Sequence, residues 1–298
     1  MALRTLLFLS TNLVVVLTIS LILGALASLG LLPANLPWLP LLVGCFAWGM
    51  LGSWLSLQFS ARSAMAAMGV RLANDDPSAA ARGLVNLVAA LADRASLPIP
   101  AVGVYNSPEW NAFATGPSPQ RALVAVSSGI LEGMPAAELE AVLAHELSHI
   151  SNGDMVTMSL LQGVVNAFVM VLARVVALLV PNGSRNDDRQ PSPPLAGLVW
   201  PLELLFGMGG SLITAWFSRH REFRADAGAA GLTSPEAMAS ALERLGQASG
   251  IRDPRDSNAM ARFKIASADG WISLFASHPP LEQRIAALRQ SGVSLLAG

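Results

Sequence analysis

The sequence predicts a mostly α-helical membrane protein, in which about four apolar helices accompany a polar α+β domain with a small sheet. Three observations lead there. Of the 298 residues, 53% are hydrophobic and 13% charged, where soluble domains carry roughly 25% charged residues. Mean hydropathy is +0.50. Long apolar stretches alternate with two polar segments that show helix and strand patterns. The net charge of −1 and the lack of a basic run give no reason to expect a nucleic-acid partner. Cys45 is the single cysteine, so neither an internal disulfide nor a cysteine-based zinc site can form.

The apolar stretches divide the chain. Residues 6–32 contain no charge and exceed the ~20 residues needed to cross a bilayer. They are too long for a signal-peptide core, and a second apolar run at 39–59 follows closely. Trp38, Trp48 and Trp54 suit interfacial anchors. The uncharged linker PANLPWLP makes the pair a transmembrane hairpin. Residues 158–181 and 195–217 form a second candidate hairpin around the polar turn SRNDDRQPSP. They carry Arg174 and Glu203, and buried amphipathic helices of a soluble domain are the alternative. Counting from the turn, both charges fall roughly 10–14 Å below the same bilayer boundary, so they are expected to pair or to share water. Snorkelling of Arg174 alone is the rival. Arg4, Arg62, Arg71, Arg219, Arg221 and Arg224 flank the spans on one side. The positive-inside rule then places both termini and the polar segments in the cytoplasm. The organisation expected is a hairpin over 1–60, a first polar segment over 61–157, a second hairpin over 158–217 and a second polar segment over 218–298.

In the polar segments, DPSAAARGLVNLVAALADRAS has apolar residues at helical spacing. PAVGVY, NAFATG and RALVAVSS read as short strands. GMPAAELEAVLAHELSHI is a helix with Pro135 near its first turn. SRHREFRADAGAAGL, SPEAMASALERLGQASG and PPLEQRIAALRQSG read as three more helices, and 250–270 as a loop.

The chemistry centres on AHELSHISNGD, Ala144–Asp154, which contains an HExxH pattern. His145 and His149 are one helical turn apart on one face and can grip one zinc ion, while Glu146 can hold a water beside it. A catalytic zinc needs a third protein ligand and an open fourth position. Glu222 is the preferred third ligand, with Asp226 one turn later placed to accept the free N–H of a ligating imidazole, His145 first. His220 is the second choice, and a solvated Glu222 paired with Arg219 or Arg221 is the bland alternative. His278, before Pro279 and Pro280, is either a donor to a developing oxyanion or a capping or packed histidine.

These motifs resemble the HtpX family of membrane zinc metalloproteases, relatives of the Ste24 (CAAX prenyl) endopeptidases. AHELSHISNGD, SRHREFRADAGAA, NAFATG and SHPPLEQRI carry the resemblance, in an order that covers nearly the whole chain. It implies a gluzincin-like zinc-metalloprotease domain with one Zn²⁺ per chain, held by His145, His149 and Glu222. Glu146 would be the general base, Asp226 the residue orienting a ligand, and His278 a transition-state stabiliser. Asn111, Ala112, Phe113, Ala114 and Thr115 would form an edge strand beside the active site, to which an extended substrate adds through its main chain. Asp154 would make a structural ion pair with Arg224 or Arg284. The implied function is endopeptidase cleavage of misfolded or damaged membrane proteins at the cytoplasmic face of the bacterial inner membrane, in quality control and stress response. The protease FtsH is an implied companion. A membrane scaffold or chaperone that retains the zinc site is the alternative.

Overall fold

The computed structural model describes residues 28–29, 38–179, 194–248 and 278–296. The expected span at 6–32 and the loop at 250–270 lie outside the described residues. Of the described residues, those up to Leu55 together with Ser159–Ile213 form one compact unit. Ser56–Met158 and the residues from Thr214 onward form the other.

Long helices run through the first unit. They are α1 (Trp38–Met68), α5 (Asp154–Leu179) and α6 (Pro194–Leu232). The 3 stretches Leu39–Met68, Asp154–Ala177 and Gly197–Leu232 are long and apolar enough to cross a membrane. α1 and α5 meet at small residues. A Cβ on Gly49 would lie 2.8 Å from the Gly163 carbonyl oxygen, so the two backbones approach closely only because glycine is there. Ser159 donates a hydrogen bond of 2.8 Å to the Ser53 carbonyl across the same seam. Trp48, Trp54, Trp200, Leu204 and Leu205 are exposed, an outer surface suited to lipid. Arg174 and Glu203 do pair, at 2.7 Å.

Two helices are longer than the sequence pattern suggests. α1 continues past Phe59 to Met68 because ARSAMAAM contains good helix formers, and it stops at Gly69, where φ is 66°. SRHREFRADAGAAGL is not a separate helix but the last part of the 39-residue α6. The change from apolar to charged residues at Ser218 alters what surrounds the helix, not its backbone propensity.

The second unit holds a four-stranded sheet in the order β1-β2-β4-β3, built from Arg71–Leu72, Ala101–Tyr105, Ala112–Thr115 and Leu123–Ser127 as β1 to β4. β2 and β4 are parallel, and the other two pairs are antiparallel. β1, only two residues long, is the strand that periodicity does not reveal. Helices α2 (Ala79–Arg94), the short α3 (Ser128–Gly133) and α4 (Ala136–Asn152) pack against the sheet, α7 (Pro235–Ala248) packs on α4, and α8 (Leu281–Leu296) packs on α7. Ser78 caps α2 by accepting from the Ala81 N–H, and Leu84, Val88 and Leu91 bury its inner stripe. α4 is buried on nearly every side, with Val142, Leu143, Leu147 and Ile150 in one core with Met238 and Leu242 of α7 and Leu288 of α8. Glu138 on its first turn accepts from Ser240 and Arg244, which ties α4 to α7.

Candidate metal centre and active site

His145, Glu146 and His149 come from the buried face of α4, and Glu222 and Asp226 from α6. His278 and Arg284 come from the segment that leads into and forms α8. The Nε2 atoms of His145 and His149 are 3.1 Å apart. Glu222 Oε2 lies 3.5 Å from the first and Glu222 Oε1 3.4 Å from the second. Four ligands at about 2.0–2.1 Å in a tetrahedron stand about 3.3 Å from each other, so these spacings fit one shared ion.

The donor set fits a cation as well. Nδ1 of His149 is 2.7 Å from Asp154 Oδ2, and Nδ1 of His145 is 3.0 Å from Asp226 Oδ1, slightly off the ideal hydrogen-bond direction. With an N–H on each Nδ1, both Nε2 atoms present lone pairs toward a fully buried carboxylate. Glu222 Oε1 is buried and accepts no hydrogen bond. Arg221 Nε lies 3.7 Å from that oxygen, beyond hydrogen-bond length, so three acceptors converge on a point that suits a cation. His145 shows the same demand through its proton affinity. Burial opposes its charge, but Asp226 and Glu222 more than offset this and push its pKa up to about 9. Among the described residues, His145, His149 and Glu222 form the cluster able to hold a metal.

Around this cluster the carboxylates are clamped by arginines. Arg284, 1% exposed, donates from Nε and Nη2 to the two oxygens of Asp226 at 2.8 and 2.6 Å. Its Nη1 lies 3.5 Å from Glu222 Oε2. Burial works against the guanidinium charge, and Asp226 more than offsets this, raising its pKa above the ordinary value. Arg224 donates to Asp154 Oδ1 at 2.8 Å. Of the two partners expected for Asp154, then, Arg224 is the one it meets. Glu146, next to His145 on α4, is buried at 5% exposure, and its carboxylate acts on the charge of Arg284. His220, the second choice for a ligand, is exposed and bonds the Trp216 carbonyl through Nδ1 at 3.0 Å, away from the cluster.

His278 reaches the site. Its Nδ1 is 2.7 Å from Glu222 Oε2. The single N–H of a neutral imidazole is then spent on Glu222, and only the imidazolium has a second one to give. β3 sits at one edge of the sheet. The Ser127 N–H donates to the Asn111 carbonyl at 2.9 Å, so in the antiparallel register Phe113 and Thr115 bond β4 while Ala112 and Ala114 turn their N–H and C=O groups outward. Asn111 itself is buried, with its side-chain amide donating to Tyr105 at 2.9 Å. It fastens the start of the strand.

Arg284 was expected only as an alternative partner of Asp154, and its clamp on Asp226 is the part of the site that sequence reasoning missed. The available signal was an arginine between Leu281 and Leu288 on the apolar face of an amphipathic helix.

The model of Peptidase family M48 matches residues 78–291. The chain belongs to peptidase family M48. Within that family it resembles the HtpX proteases throughout. It is 45% identical to Protease HtpX of Tolumonas auensis, over 96% of this chain and 99% of that one. It is 46% identical to Protease HtpX of Pasteurella multocida, over 96% of this chain and 98% of that one. Among solved structures, S. mikatae Ste24p shares the fold with a TM-score of 0.59 at 19% identity. That match covers 83% of this chain and 58% of the Ste24p chain, so this M48 member spans less than two thirds of that neighbour. M48 membership, the HtpX relatives and the three candidate spans among the described residues make it a membrane metallopeptidase.

Proposed function

We propose that this chain is a zinc endopeptidase of the bacterial cytoplasmic membrane that cuts misfolded or damaged membrane proteins at the cytoplasmic face. The observation that carries the reading is the convergence of His145, His149 and Glu222, with Glu146 buried next to His145 on the same helix. The donor set of two imidazoles and a carboxylate, without thiolates, is that of a catalytic zinc rather than a closed structural one. A zinc ion held there would supply Lewis acidity to a water and to the scissile carbonyl. Glu146 takes the proton of the attacking water and returns it to the leaving amine. His278 holds Glu222 through Nδ1 and, as the imidazolium, gives its other N–H to the developing oxyanion. Ala112 and Ala114 bind the substrate main chain, which demands an extended segment and little sequence. That selectivity suits unfolded chains, and it supports a role in quality control and stress response, alongside FtsH.

The test is metal content and casein cleavage by the full chain purified in detergent. Glu146→Gln should keep its metal and lose activity by about 10²–10⁴-fold. Glu222→Ala should lose both. Metal binding by the wild type with cleavage no better than Glu146→Gln on several unfolded substrates would favour a scaffold or chaperone instead.

A further inference from the structure

We propose that Asp154 is a positioning residue for the reaction. Its carboxylate, clamped by Arg224, fixes the tautomer and ring plane of His149. The inference rests on the metallopeptidase reading of the cluster and adds a residue to it.

The local backbone brings Asp154 to the site. Gly153 ends α4 in the left-handed conformation, with φ of 68°, and its N–H bonds the Ile150 carbonyl at 3.1 Å. A residue with a Cβ is strained in that conformation. The reversal lets α5 begin at once, so Asp154 is its first residue and folds back on His149, five positions earlier. Oδ2 then meets His149 Nδ1 at 2.7 Å, and Oδ1 takes the Arg224 Nη2 hydrogen bond at 2.8 Å. Asp154 is 1% exposed. Each of its oxygens has a separate task, one toward the imidazole and one toward the guanidinium.

An aspartate in a first helical turn also has an ordinary use, because it complements the helix dipole. An ion pair with Arg224 alone has another. Neither requires an imidazole at 2.7 Å. The His149 contact makes the carboxylate a partner of the ring that offers Nε2 to the cluster. Such partners raise the basicity of a ligating imidazole and hold its orientation, and their loss typically costs ~10–100-fold in metal affinity or activity. Asp226, held by Arg284, lies 3.0 Å from His145 Nδ1 but off the hydrogen-bond direction, so His149 has the better aligned carboxylate of the two imidazoles.

The experiment compares wild type, Asp154→Asn, Asp154→Ala and Arg224→Gln as full chains in detergent. Zinc affinity is measured by chelator competition, the absorption spectrum is taken after cobalt substitution, and kcat and KM are separated on casein. Asp154→Ala should weaken zinc binding by ~10–100-fold, alter the cobalt ligand-field bands and lower kcat with KM within about twofold. Arg224→Gln should shift all three in the same direction by less. Arg224 is 60% exposed, so this variant serves if the Asp154 variants do not fold. A lowered melting midpoint with unchanged zinc affinity, cobalt spectrum and kcat would overturn the proposal and leave a structural ion pair. Failure of the wild type to bind zinc or cobalt would instead overturn the metallopeptidase reading on which it rests.

Discussion

Arg284→Met removes the buried guanidinium between Asp226 and Glu222. Arg284 and Asp226 are 1% and 2% exposed, so neither is rescued by water once its partner is gone. Loss of one member of a buried ion pair costs about 3–5 kcal/mol, since the other charge stays desolvated. For a polar unit of this size, each kcal/mol moves the melting midpoint by about 2–4 °C, so the variant should melt on the order of 10 °C lower. The assay is thermal unfolding in detergent of wild type, Arg284→Met, Asp226→Ala and the double variant. Because the two groups form one bidentate pair, the double variant should be far less destabilised than the sum of the singles. Arg284→Lys should recover part of the loss, because a point charge cannot repeat the two parallel hydrogen bonds at 2.8 and 2.6 Å. Additive effects, or a midpoint for Arg284→Met within about 2 °C of wild type, would refute the clamp and the burial argument behind it.

Two further outcomes follow from the same geometry. Ala114→Pro removes an N–H that points away from β4, so the sheet should persist while kcat/KM on casein falls about 5–10-fold, the value of one hydrogen bond; Phe113→Pro, which removes a ladder bond, should lower the melting midpoint instead. In chelator-treated protein, the His145 pKa of about 9 against an ordinary 6.5 gives a stabilisation present below pH 6.5 and lost as pH rises through 9. The melting midpoint should therefore fall across that window, and His145→Asn should flatten the fall.

Much of the site is legible in the sequence because it is local. His145, Glu146 and His149 share one helical turn, and Glu222 and Asp226 another, so period and residue type suffice to nominate them. Arg174 and Glu203 could be set at one depth by counting rise per residue, and they meet at 2.7 Å. What escaped depends on geometry that residue spacing does not encode. The Arg284–Asp226 bond joins positions 58 apart in the chain. The Asp154–His149 contact hinges on one left-handed glycine. The continuity of α6 escaped because a change in polarity at Ser218 looks like a boundary although nothing there breaks a helix. β1 escaped because two residues show no period.

The two clamps differ in their access to the surrounding ions. Arg284 is sealed, whereas Arg224 is 60% exposed while holding the buried Asp154. Mobile electrolyte screens exposed charges over about 8 Å at physiological ionic strength and reaches buried pairs much less. Raising the salt concentration should therefore weaken the Arg224–Asp154 pair more than the Arg284–Asp226 pair. The two imidazoles, equivalent in sequence pattern, thus sit beside carboxylates whose arginine partners differ in their exposure to surrounding ions.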